Sequence, residues 1–405
     1  MIEFEAWYLI FLPLLFAAGW FARGFETGVR TADQAASPRS LSRGLNLLLN
    51  EQPDKAIDAF IDVVKLDQET IELHYALGNL FRRRGEIDRA VRIHTHLLNR
   101  ADLPARERAN ALAELGADYL KGGLLDRAED SFVRLQDDAQ HRFAAQRALL
   151  RIFQMEREWT RAIDCARRLE REAGESHQVE VAHFYCELAQ AELATKSGDR
   201  VAVSAALDAA ARHLEAALAA HRKSVRALIL SGDLAARRGA RDEAIVHWLR
   251  LAANAADYLP LVAERLTQAL DEAGRRDEAL NLLRRVLADA PSIDLLDIAV
   301  RRVGEWQGEA EAERLLRDDL KRHPSLLGFE RLLALRGAQA RGDGELDSLR
   351  ALLQEQTRKL ARYRCSKCGF RAREFHWQCP GCTSWDSYPP RRIEELDAAA
   401  ADAPG

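Results

Sequence analysis

Residues 77–97, LGNLFRRRGEIDRAVRIHTHL, decide how this chain folds. Leu77, Gly78 and Phe81 recur at helical spacing, Gly85 interrupts them, and Ile87, Ala90, His94 and Leu97 resume the pattern beyond the break. That is a helix, a turn and a second helix, each with a single apolar stripe. The order returns along residues 41–324 at a period of about 34 residues. Upstream it reads Gly44, Leu47, Ala56, Phe60 and Val63, and downstream Leu115, Gly116, Tyr119, Gly123, Leu125, Ala128, Phe132 and Leu135. A fourth unit holds Phe153, Trp159, Ala162, Ala166 and Leu169. After a looser stretch at 180–220 come Leu228, Gly232, Gly239, Ala244, Trp248 and Leu251, then Leu266, Leu270, Gly274, Ala279, Leu283, Val286 and Pro291. Val303, Ala312, Leu316 and Pro324 form the last clear unit.

Gly and Ala at the first-helix and second-helix contact positions let two helices approach closely, and the larger apolar residues fill the groove between them. These positions resemble the tetratricopeptide repeat, whose units cannot bury their apolar faces alone and therefore stack into a right-handed superhelical solenoid. The resemblance implies an all-α fold with a concave surface suited to capturing peptides or proteins. A passive spacer is the bland alternative. Composition agrees: Leu, Ala, Arg and Glu dominate, Pro numbers 11, and the 405 residues exceed a usual single core. A net charge of −4 gives no support to wholesale capture of nucleic acid.

From Ala6 to Ala22 the chain reads AWYLIFLPLLFAAGWFA, without a charge. As helix it spans about 25 Å, enough for a bilayer core. Trp7 and Tyr8 at one end and Trp20 and Phe21 at the other match an aromatic belt, and a membrane helix tolerates Pro13. A cleaved signal peptide fits less well, because Glu3 and Glu5 stand where basic residues belong. Arg23, Arg30, Arg39 and Arg43 follow the span, so the positive-inside rule expects the bulk of the chain on the cytoplasmic side.

Four of the six cysteines form two C-x-x-C pairs, Cys365 with Cys368 and Cys379 with Cys382. Each pair turns two thiolates onto one ion, and four thiolates complete a tetrahedron with no open position, which predicts a structural metal site. Gly369, Pro380 and Gly381 suit the tight turns, and Phe370, Phe375, Trp377, Trp385 and Tyr388 are expected to form a small apolar core. The interval 369–378 is shorter than the common zinc-ribbon interval but admits a strand–turn–strand excursion. The knuckles resemble the rubredoxin-like zinc-ribbon group, which implies zinc with iron as the alternative.

The phosphate-loop, nucleophile-elbow and zinc-protease signatures are absent, and no catalytic residue is expected. His94 and His96 point to nearly opposite sides of a helix, so His94 is expected to be a packed core histidine rather than a ligand. Cys165 and Cys186, alone in helical sequence, read as small buried residues. Arg362, Arg364, Lys367, Arg371 and Arg373 crowd the first knuckle among aromatics. That is the one feature favouring a nucleic-acid-binding zinc ribbon, and the near-neutral total and the apolar N-terminal segment weigh against it.

Anchor, repeats and CSKCGF…CPGC knuckles in this order resemble the lipopolysaccharide assembly protein B family of Gram-negative bacteria, over nearly the whole chain. The resemblance implies a single-pass inner-membrane regulator of lipopolysaccharide synthesis. Such a protein brings the lipid A-committing UDP-acyl-GlcNAc deacetylase to a membrane AAA+ zinc protease and takes a signal from an inner-membrane partner through its membrane segment. It also implies Cys365, Cys368, Cys379 and Cys382 as metal ligands. The expected layout is an anchor (1–23), a juxtamembrane linker (24–40), a repeat solenoid (41–355), a rubredoxin-like domain (356–392) and a disordered tail (393–405). An assembly platform for envelope enzymes that involves no proteolysis, and a homo-oligomer, stay open.

Overall fold

Apolar residues three and four apart give each segment of the repeats one stripe to bury, and each segment is a helix packed on its neighbour in sequence. The computed structural model describes residues 71–195, 199–339 and 344–401. The segment 6–22, the linker and the first repeat unit lie outside the described residues. Among the described residues, no helix is long and apolar enough to cross a membrane.

The chain divides into two compact units at Ala173. Among the described residues, the first holds three helical pairs: α1 (Ile71–Arg84) with α2 (Ile87–Leu98), α3 (Ala105–Lys121) with α4 (Leu125–Val133), and α5 (Arg142–Glu156) with α6 (Trp159–Ala173). The stripes read from the sequence are the buried faces: Leu77, Gly78 and Phe81 on α1, Ala90, His94 and Leu97 on α2, and Ala162, Ala166 and Leu169 on α6. His94 is fully buried, as expected of a packed histidine, and it has partners. Its Nδ1 lies 2.5 Å from Asp118 Oδ2, and Arg82 Nη1 donates to the other carboxylate oxygen at 2.9 Å. The buried acid is therefore met by two cationic or donor groups, the condition under which such burial is tolerated. Gly78 is required beside it, since a Cβ there would run into the His94 ring.

The second unit holds α7 (Gln178–Ala194) with α8 (Arg200–Ala220), α9 (Val225–Arg237) with α10 (Arg241–Asn254), and α11 (Ala263–Glu272) with α12 (Arg276–Asp289). It continues with α13 (Ile293–Gln307) and α14 (Glu309–Arg322), and α15 (Leu326–Gln339) and α16 (Gly344–Thr357). The last pair is a helical hairpin beyond the final repeat legible in the sequence. Its core runs continuously from Leu228 to Leu332. In each unit, side chains one repeat apart pair across neighbouring hairpins: Arg82 with Glu114 at 2.6 Å, Arg265 with Asp233 at 2.5 Å, and Arg331 with Asp297 at 2.9 Å. Each such pair adds little energy, but together they fix the register of stacking.

The stretch 180–220 looks irregular because α7 buries more than one face and α8, at 21 residues, is longer than the other described helices. α7 sets Ala182, Cys186, Ala189 and Leu193 against Ala210, Leu214 and Ala217 of α8 through a seam of small side chains. The adjoining face of α7, with His183 and Phe184, is buried as well. Cys186 is thus a core residue, as the sequence suggests, and Cys165 is partly buried with its thiol donating to the Gln146 carbonyl.

After α16 come a two-stranded hairpin, β1 (Tyr363–Arg364) and β2 (Arg371–Ala372), and a closing helix α17 (Ile393–Ala401). The expectation of a disordered tail from 393 is therefore corrected as far as Ala401. Two glutamates bring the segment to order. The Glu394 carboxylate accepts from Leu326 N at 2.6 Å, Leu327 N at 3.1 Å and Ser325 Oγ at 2.9 Å, which caps α15. Glu395 accepts from Ile293 N at 2.5 Å at the start of α13. Otherwise unpaired amides and the positive end of each helix macrodipole both favour a carboxylate there.

Candidate metal centre

The two knuckles fold alike. In the first, Gly369 N donates to Cys365 O at 3.0 Å and Cys365 N donates to Phe370 O at 2.9 Å. In the second, Thr383 N donates to Cys379 O at 2.8 Å and Cys379 N donates to Ser384 O at 2.9 Å. The residue four beyond the leading cysteine is left-handed in both, Gly369 at φ 74° and Thr383 at φ 57°. Each turn brings its second cysteine back toward its first. The hairpin of β1 and β2 closes the first knuckle, a bridge between Gln378 and Trp385 closes the second, and Ser366 N, donating to Ser387 O at 2.8 Å, ties the two together.

The four Sγ atoms lie within 4.8 Å of one another. Cys365 and Cys382 are 3.8 Å apart and Cys368 and Cys379 are 3.6 Å apart, far beyond a disulfide bond. A tetrahedron of ~2.3 Å metal–sulfur bonds has edges of about 3.8 Å, so the sulfurs stand at the spacing a zinc or iron ion needs. Gly381 N donates to Cys379 Sγ at 3.3 Å, an amide aimed at a sulfur as thiolate ligation requires.

The thiols are poised unequally. Burial alone would lift Cys365, but hydrogen bonds from Ser387 and from the backbone of Cys368 and Lys367 outweigh it and bring that thiol down to about 6. Ser384 lowers Cys382 through its side chain and its amide. The Phe370 amide draws Cys368 down, yet desolvation and the hydrogen bonds shared with Cys382, Cys379 and Cys365 leave it up at about 12. Four sulfurs this close cannot all ionise by themselves, and a divalent cation removes that conflict.

Tyr388 is the buried centre of the ribbon and donates to Phe370 O at 3.0 Å. Phe375 packs in that core as expected, and the other aromatics expected there serve differently. Phe370 is 43% exposed. Trp377 and Trp385 face the helical repeats instead. Trp385 stacks on the His183 ring with centroids 4.6 Å apart, and Trp377 lies parallel to Tyr258 at 5.9 Å. Arg226 sets its guanidinium about equally near both indoles, 5.9 and 6.0 Å from their centroids, and pairs with Glu187 at 2.8 Å. His183 Nε2 meets Asp386 at 2.9 Å. Below them Tyr363 donates to Asp294 at 2.7 Å, and Arg392 reaches the same carboxylate at 2.8 Å. His183, Arg226, Tyr258 and Asp294 carry no motif, and the sequence reading does not find them. The departure of 180–220 from repeat periodicity is the signal that could have pointed to this dock.

A family model described as a rubredoxin metal binding domain matches residues 363–389, and a tetratricopeptide repeat model matches residues 206–260. Lipopolysaccharide assembly protein B of Escherichia coli (strain K12) is 36% identical over 387 residues, covering 95% of this chain and 97% of that protein. The chain belongs to the lipopolysaccharide assembly protein B family. The Haemophilus influenzae lipopolysaccharide assembly protein B is 29% identical over 404 residues, covering 95% of this chain and 98% of that one. Among solved structures, a tetratricopeptide repeat protein from Parabacteroides merdae is 12% identical at a TM-score of 0.25, with 79% of this chain and 99% of that chain covered. Kinship with the lipopolysaccharide assembly protein B family thus takes in both the helical repeats and the rubredoxin-like ribbon.

Proposed function

We propose that this chain is a membrane-tethered adaptor in lipopolysaccharide assembly. The observation that carries the reading is 36% identity over 95% of the chain to a protein bearing that name. Lipopolysaccharide is an envelope component, so the site of action is the cell envelope. The uncharged segment 6–22 supports an inner-membrane tether with the bulk of the chain on the cytoplasmic side.

The mechanism is proximity. Stacked helical pairs offer side chains for protein capture, and a tether confines the captured client near a membrane protease. The client is the lipid A-committing deacetylase, the protease is the membrane AAA+ zinc enzyme, and an inner-membrane partner signals through the anchor. The chain works by holding proteins and not by turning over a substrate. The layout read from the sequence (anchor 1–23, linker 24–40, repeats 41–355, ribbon 356–392) assigns one task to each part.

Cys365, Cys368, Cys379 and Cys382 hold the metal, and zinc is the ion of choice because it is redox-inert and accepts four thiolates. When bound, the ion supplies the positive charge that lets four sulfurs share one point. Around it the backbone amides hold the sulfurs in place, and Trp377, Trp385 and Arg226 join the ribbon to the repeats.

Depletion of the chain should lengthen the half-life of the deacetylase, followed by pulse-chase. An unchanged half-life in depleted cells counts against the adaptor reading. Co-purification of the protease with the full-length chain separates targeted proteolysis from a non-proteolytic assembly platform.

A further inference from the structure

Residues 358–374 contain Arg358, Lys359, Arg362, Arg364, Lys367, Arg371 and Arg373 against one acid, Glu374, in a chain whose net charge is −4. Neither the metal site nor the dock absorbs this concentration. Elsewhere the arginines are largely committed: Arg82, Arg226, Arg265, Arg302 and Arg331 all pair with carboxylates. On the ribbon, Arg364 pairs with Asp397 at 2.8 Å. Lys367, Arg371 and Arg373 are exposed and have no ion-pair partner among the described residues.

The hairpin register explains why they gather on one side. Tyr363 lies opposite Ala372 and Arg364 opposite Arg371, and opposed residues share a face. Tyr363 is turned to the repeats, where it meets Asp294. Arg371 neighbours Ala372 in the strand and so shares with Arg364 the face opposite Tyr363, while Arg373 follows just beyond the strand and Lys367 lies in the knuckle loop between the strands. Phe370, the exposed ring, sits in the same rim.

We propose that this rim, Lys367, Phe370, Arg371 and Arg373, docks on the anionic headgroups of a phospholipid bilayer. Cations favour a negatively charged surface, and a single apolar ring among them can enter the headgroup boundary. A nucleic acid would need aromatic platforms for base stacking, and Phe375, Trp377, Trp385 and Tyr388 are turned inward or onto the repeats. The docking lies beyond the adaptor reading and does not depend on it. If both hold, the rim supplies a second membrane attachment that orients the ribbon.

The test is backbone hydrogen exchange of residues 366–373 in the full-length chain, reconstituted in phosphatidylcholine vesicles with or without about 30% phosphatidylglycerol. The expected result is roughly tenfold slower exchange with the anionic lipid only, relieved when salt shortens the screening length. Lys367→Glu, Arg371→Glu and Arg373→Glu combined should abolish the difference while metal content stays unchanged, which separates membrane docking from mere neutralisation of the thiolates. Should that variant lose its metal, the salt response of the unaltered chain decides: relief supports docking, and protection indifferent to salt overturns it. Equal exchange in both vesicle types overturns the proposal. So does slowing by single-stranded RNA with none by vesicles, which would instead assign the rim to nucleic acid.

Discussion

Arg157 holds the turn between α5 and α6 at φ 59°, a position that glycine takes in the corresponding turns at Gly85, Gly123, Gly239, Gly274 and Gly308. The left-handed region costs an L-residue about 1–2 kcal/mol, a penalty glycine escapes, while glycine loses more backbone entropy on folding. Arg157 is exposed and its side chain is dispensable for packing. Arg157→Gly should therefore stabilise the first unit by roughly 0.5–1 kcal/mol, seen as a higher midpoint in thermal unfolding. Gly78 behaves in the opposite sense. Gly78→Ala drives a methyl into the His94 ring and should cost about 1–3 kcal/mol. Combining it with His94→Ala should cost less than the sum of the two single changes, because the space His94 vacates receives the new methyl. Strict additivity in denaturant titrations would show that the collision is not the cause.

At the scale of elements, the ribbon is held by a few aromatic and charged contacts between 377–392 and the α7, α9 and α13 helices. Trp385 is the buried centre of that contact, stacked on His183 with Phe184 at its edge. Trp385→Ala removes this packing and should cost on the order of 3–5 kcal/mol, enough to free the ribbon while its four cysteines remain. Tryptic cleavage after the exposed Arg358 and Lys359 should accelerate in that variant, with metal content unchanged. Cleavage at the wild-type rate would mean that the glutamate caps of α17 suffice to hold the ribbon down.

Taken as a whole, the molecule carries six thiols in two chemical settings. Burial pushes Cys165 up to about 11 and Cys186 up to about 12, so neither presents a thiolate at neutral pH. The other four converge on one point, where a bound cation would shield them from alkylation. Iodoacetamide at pH 8 should therefore label almost none of the native chain, the four ribbon cysteines after chelation, and all six only in denaturant. Rapid labelling of Cys365 and Cys382 without chelator would contradict a tightly held ion. Metal removal should melt the ribbon, whose core is small and whose fold depends on the ion by about 10 kcal/mol, and should leave the helical repeats intact by circular dichroism.

The repeats and the knuckles are legible in the chain because both rest on local rules. Helical periodicity makes Ala90, His94 and Leu97 a buried stripe wherever the helix packs, and C-x-x-C makes a two-thiol turn wherever it occurs. The dock obeys no local rule. His183, Arg226, Tyr258, Asp294 and Asp386 are scattered over 204 positions, from 183 to 386, and only the stacking of α7, α9 and α13 makes one surface of them. The closing helix is of the same kind: Ala-rich and acidic, it has too little apolar surface to order itself, and it orders because Glu394 and Glu395 find the amide ends of α15 and α13. Sequence by itself determines what each segment can bury or ligate. Tertiary structure decides which segments meet, because a contact between distant residues exists only after the elements carrying them have stacked.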